Sequence, residues 1–132
     1  MLPSYIKPKG FVWNVLPFHK NFANTVFQTI YLPKHVYNNL QSSKPTIQYQ
    51  ALLLHEQEHR KRLHKSPIRW CVKYLCSATF RFEEELIAYK VQQKFLRKHH
   101  EELPIEKIAR YLSSGTYLWC TSFEKAKEKL TE

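Results

Sequence analysis

The chain has 132 residues, enough for one hydrophobic core, and 43% of them are hydrophobic, which excludes a disordered segment. With 2 glycines it holds no Gly-rich loop to cradle phosphate, so nucleotide-binding classes drop out. A formal net charge of +10 favours contact with nucleic acid, anionic surfaces or acidic protein segments without choosing among them.

Residues 1–10 carry Pro3, Pro8 and Gly10 and read as an irregular arm. The same stretch lacks the continuous apolar core of a signal peptide, and no apolar run is long enough to cross a bilayer. The expectation is a soluble, cytoplasmic protein with no membrane contact, folded as one domain over residues 1–132. Phe11–Phe18 is rich in strand formers, with Pro17 demoting its end to an edge or turn. Thr25–Leu32 (TVFQTIYL) is dense in β-branched and aromatic residues and reads as the best strand. The two are expected to form a hairpin.

From Pro33 onward the pattern turns helical. A short helix is expected over residues 33–41, and a longer one from Pro45 to Lys65. Ser66-Pro67 is a cap-plus-proline start for a helix over residues 67–77. Its Ile68, Val72 and Leu75, and the aromatic Trp70 and Tyr74, read as core. A long helix follows from Arg81 to His100, then one from Pro104 to Leu112. Thr121-Ser-Phe-Glu124 reads as a capping box for a last helix ending at Leu130. The fold class is α+β: mostly helical, with a small N-terminal antiparallel sheet. Cys71, Cys76 and Cys120 contain no C-x-x-C and read as buried thiols in a reducing compartment.

The chemistry concentrates in His55-Glu56-Gln57-Glu58-His59. On a helix, residues four apart share a face, so the imidazoles of His55 and His59 converge on one point. Glu56 lies one step round, close to that point but not aimed at it. Two neutral nitrogens beside a free carboxylate are what a zinc hydrolase requires, the pattern being H-E-x-x-H. A catalytic zinc takes a third protein ligand. A third histidine six positions on is ruled out, because that position is Lys65 and His64 is off by one. Glu83, Glu84 and Glu85 offer carboxylates on the next long helix.

Glu85-Leu86-Ile87-Ala88, placed 26 residues after His59, resembles the E-x-x-(A or S) segment of the gluzincin metallopeptidases. The size is similar to that of their minimal single-domain members, the minigluzincins. The resemblance implies a zincin-like fold and one zinc ion held by His55, His59 and Glu85, with Glu84 as runner-up ligand. Glu83 and Glu84 are then expected to face solvent. It implies hydrolysis of peptide bonds in a protein or peptide substrate, with Glu56 as general base. It also implies that the strand Thr25–Leu32 lines the cleft and pairs with extended substrate. Ala88 supplies the small residue that lets the two metal helices approach. Tyr89 departs from the pattern, standing where an aspartate orients the first histidine in members such as thermolysin. Tyr89, Tyr117 and His64 are the donors considered for the oxyanion.

Two other readings compete with the peptidase. One is a basic protein binding nucleic acid weakly and without sequence preference, through Arg60, Lys61, Arg62, Lys65, Lys94, Arg97 and Lys98. The other is a catalytically silent interaction module, with Gly115–Glu132 as a segment that could block its own cleft.

Overall fold

The computed structural model describes residues 2–10 and 22–132. They form a mostly helical α+β fold with a small three-stranded sheet: β1 (Ile6–Pro8), β2 (Asn24–Val26), β3 (Thr29–Leu32). Six α-helices follow among these residues: α1 (Lys34–Leu40), α2 (Ile47–His64), α3 (Pro67–Cys76), α4 (Ala78–Lys98), α5 (Ile105–Leu112) and α6 (Phe123–Thr131). A 3-10 turn, Gly115–Tyr117, links α5 towards α6.

The sheet differs from the expected antiparallel hairpin. It is mixed, in the order β1-β3-β2, with β1 parallel to β3 and β2 antiparallel to it. The N-terminal arm thus contributes a strand. Thr25–Leu32 is itself a hairpin: Val26 pairs with Thr29 around a two-residue turn, Phe27-Gln28. Phe27 adopts a positive φ of 52°, which tight hairpin turns demand and which glycine or asparagine ordinarily supplies. A phenylalanine there gives no turn signal, so the stretch reads as one strand. The strand expected over Phe11–Phe18 lies outside the described residues.

Two cores flank α2. On one side Ile6, Ile30, Leu32 and Val36 are buried, with Leu52 and Leu53 of α2 packed on them. On the other, Ala51 joins Phe82, Tyr89, Leu96, Ile108, Leu112, Ala126 and Leu130. A fully buried Leu or Ile contributes about 1.5–3 kcal/mol, so α2 is clamped from both sides. Among the described residues, no other pair of elements packs as extensively as α2 and α4. Ala51 on one and Ala88 on the other are fully buried, and side chains this small let helix axes close in.

Three local expectations are corrected. Ile68, Val72 and Leu75 are not core, being 76%, 55% and 66% exposed. The face of α3 that packs inward is the aromatic one, Trp70 and Tyr74, so a helix with two apolar faces shows the aliphatic one to solvent. Of the three free cysteines only Cys120 is buried, Cys76 being exposed. The cap of α6 is Ser122, whose hydroxyl accepts from the Lys125 amide, so Thr121 and Glu124 make no capping box. Ala126 and Leu130 of α6 are fully buried, which makes the C-terminal segment part of the core rather than a detachable plug.

Candidate metal centre

Helix α2 places His55 and His59 one turn apart, and α4 brings Glu85 opposite them. His55 Nε2 stands 3.3 Å from one Glu85 oxygen and His59 Nε2 stands 3.2 Å from the other. The two Nε2 atoms are 3.1 Å apart. Bond lengths of about 2.0–2.1 Å to a tetrahedral ion separate neighbouring donors by about 3.3 Å, so this spacing fits one metal ion. All three side chains are buried, and their donor atoms lie within 4.8 Å of one another. A buried His55, His59, Glu85 group that could hold a metal ion is therefore present.

Burial disfavours the charged form of His59, but the Glu85 carboxylate outweighs it and raises the imidazole to about 9. Burial likewise pushes the Glu85 carboxyl up, and the His59 charge with bonds from both imidazoles brings it well below the usual range. In the metal-free protein a proton thus does part of a cation's work.

Glu84 and Glu85 are adjacent yet have separate tasks. Glu84, expected to face solvent, is buried: Arg62 donates two bonds of 2.7 Å to it and Trp70 Nε1 a third of 3.1 Å. These partners turn it away from the histidines and settle the choice between the two carboxylates. Glu83 is exposed, as expected.

Glu56 is 5% exposed and lies outside the three-donor group. The Thr25 hydroxyl donates to its Oε2 at 2.7 Å, and also lies 3.1 Å from the Glu56 carbonyl. The edge strand β2 thereby fixes the carboxylate, a role the sequence does not reveal.

Tyr89 makes no bond to the first histidine. Its ring packs edge-on against His55 at 4.4 Å, and its hydroxyl meets that of Tyr117 at 3.2 Å. The Nδ1 atoms of both histidines are buried without a partner. Support goes instead to Glu85, to which the Tyr74 hydroxyl donates at 2.5 Å. Burial and then the Glu85 charge raise the Tyr74 phenol far above its ordinary value, which keeps it a donor. Tyr74 stacks on Trp70 at 4.8 Å, a pair that reads as core from sequence and here walls the site.

The site opens into a cavity of about 240 Å³. Ala23–Phe27 form one wall, Trp70, Cys71, Tyr74 and Leu75 the other, and Tyr117 reaches in from the 3-10 turn. Glu56 and Glu85 are the carboxylates lining this cavity, and apart from them and the two histidines the lining is largely apolar or aromatic. Only β2 of the expected cleft strand lines it, since β3 is the central strand. His64 is exposed, bonded to the Gln28 side chain at 2.9 Å, and does not reach the cavity.

From sequence, Arg81 reads only as a helix start. It is 4% exposed and donates to the carbonyls of Tyr74, Leu75, Tyr117 and Leu118. It closes the end of α3 with a cation, where the helix dipole is negative, and holds both tyrosine-bearing walls together.

Among the residues of the nucleic-acid reading, two have internal tasks. Arg60 donates to the Gln28 carbonyl at 2.8 Å and lies over the Tyr5 ring, and Arg62 holds Glu84. No helix among the described residues is long and apolar enough to cross a membrane.

No family model, curated protein or solved structure matches the chain.

Proposed function

We propose that this protein is a zinc-dependent metallopeptidase of gluzincin type. The observation that carries the reading is the geometry: two imidazoles and one carboxylate at metal-ligand spacing, with Glu56 beside them and not among them. Two nitrogens, one oxygen and an open side form the donor set of catalytic zinc. Zinc bound there supplies Lewis acidity towards water and a peptide carbonyl.

The protein's own groups do the rest. Glu56, oriented by Thr25, takes the proton of the attacking water and returns it to the leaving amine. Tyr117, whose phenol burial holds well above its ordinary value, offers a hydroxyl donor towards the oxyanion. Strand β2 has its outer edge free among the described strands, so an extended peptide can add to it through main-chain bonds.

The test compares wild type with Glu56→Gln, purified without a metal-affinity tag and assayed on an unstructured peptide library. Both should contain zinc, and the variant should lose about 10²–10⁴-fold in activity. Full zinc occupancy with no cleavage by wild type would favour the silent interaction module. Undiminished cleavage by Glu56→Gln would refute the assigned mechanism.

A further inference from the structure

Behind Trp70 lies a second cavity, of about 260 Å³, at the junction of α2, α3 and α4. Arg62, Lys65, Arg69 and Lys73 line it together with Trp70 and Phe80. Its one carboxylate is Glu84, which Arg62 engages through two nitrogens. Lys65, Arg69 and Lys73 have no ion pair among the described residues, and Lys73 lies 5.6 Å from the centre of the Phe80 ring. Arg69 and Lys73 are four apart on α3, where like charges repel and cost stability. Three unpaired cations around one hollow form a receptor for an anion.

Trp70 lines both cavities. Its ring centre is 6.1 Å from that of His59 and 6.1 Å from that of Phe80. The Phe80 ring therefore lies no more than about 12 Å from that of His59, a separation that an extended chain at about 3.3 Å per residue spans in about four residues.

We infer that this basic cavity is a subsite for an acidic side chain of the peptide substrate, within about four residues of the bond cleaved. The inference rests on the peptidase reading and names its substrate class: protein segments with apolar residues at the scissile bond and a carboxylate, or a phosphorylated side chain, to one side. The cavity around the metal centre is largely apolar, so the charge on the substrate is read beyond Trp70.

The experiment measures binding, so turnover is not required. Zinc-loaded Glu56→Gln protein is titrated with three labelled peptides sharing an apolar centre and carrying aspartate, asparagine or lysine at positions two to four from it. A fourth peptide carries phosphoserine there and separates the two sources of negative charge. The aspartate peptide should bind at least about fivefold tighter than the asparagine peptide at low salt, as expected for a few partly exposed ion pairs. The lysine peptide should bind weakest. Adding Arg69→Gln and Lys73→Gln to the same protein should abolish the preference and leave binding of the asparagine peptide unchanged. That second step excludes chelation of zinc by the peptide as the cause.

Equal binding of all three peptides overturns the inference. So does a preference that survives the double substitution, or a single-stranded oligonucleotide that displaces the aspartate peptide at lower concentration. Failure of the peptidase reading looks different: wild type cleaves none of the peptides, whatever their order of affinity.

Discussion

Thr25 and Glu56 are joined by a 2.7 Å hydrogen bond that spans 31 residues of chain and couples the edge strand to the helix carrying His55 and His59. The hydroxyl occupies one lone-pair direction of Oε2 and sets the carboxylate's rotation, while neither residue is a metal ligand in the proposed site. Thr25→Val removes the bond and keeps the shape. Zinc content should be unchanged, kcat should fall about tenfold through misorientation, and KM should hold. Thr25→Ser should restore most of the loss. An equal fall for Ser and Val would assign Thr25 a packing role instead.

Tyr74 supports Glu85 from behind. Tyr74→Phe preserves the stack on Trp70 and removes only the hydroxyl. Loss of such a partner typically costs 10–100-fold in metal affinity, roughly. Competition with a chelator of known affinity measures it, and an unchanged zinc affinity would show that the bond serves the fold alone.

The metal-free protein should show a pH dependence set by His59. Its imidazole is raised to about 9 in the folded state, against an ordinary value of 6.5. A raised pKa means that the folded state binds the proton more tightly, so the stabilisation is complete below about pH 6.5 and is lost as pH rises through about 9. Metal binding has the opposite slope. An entering ion displaces that proton, so affinity should rise about tenfold per pH unit from 6.5 to 9 and then level off. Thermal melts of the metal-free protein and zinc titrations across this range check both halves. A pH-independent zinc affinity would mean that His59 is neutral before metal binds.

Arg81 should be the most damaging substitution outside the site. Arg81→Leu deprives four carbonyls of their donor and removes a buried cation, at a cost of about 3–5 kcal/mol. Chemical denaturation measures it. A loss below about 1 kcal/mol would mean that water replaces the guanidinium.

On α3 the outer face should be nearly silent. Ile68→Ser and Val72→Ser remove side chains that are 76% and 55% exposed, so each should change stability by no more than about 0.5 kcal/mol. A loss of about 2 kcal/mol or more would show that this face is covered in solution.

The local code of this chain determined what depends on spacing and short-range sterics. His55 and His59 share a face because four residues make about one helical turn, and Glu56 stands aside for the same reason. The helix order follows from Pro67, Pro104 and the apolar periodicity, and the α+β class from the β-branched residues ahead of them. What joins distant segments was not legible. Glu85 is preferred over Glu84 in the sequence only through the resemblance to E-x-x-A, while the physical cause lies in Arg62 and Trp70, which meet Glu84 only when α2, α3 and α4 pack. The grip of Thr25 on Glu56 requires β2 at the sheet edge, and that depends on a turn at Phe27 without turn chemistry. The exposure of Ile68 and Val72 beside a half-buried Trp70 reflects competition between two apolar faces of one helix. The aromatic face wins contact because its Trp and Tyr also place hydrogen bonds on the buried carboxylates, an energy that no residue's own hydrophobicity records.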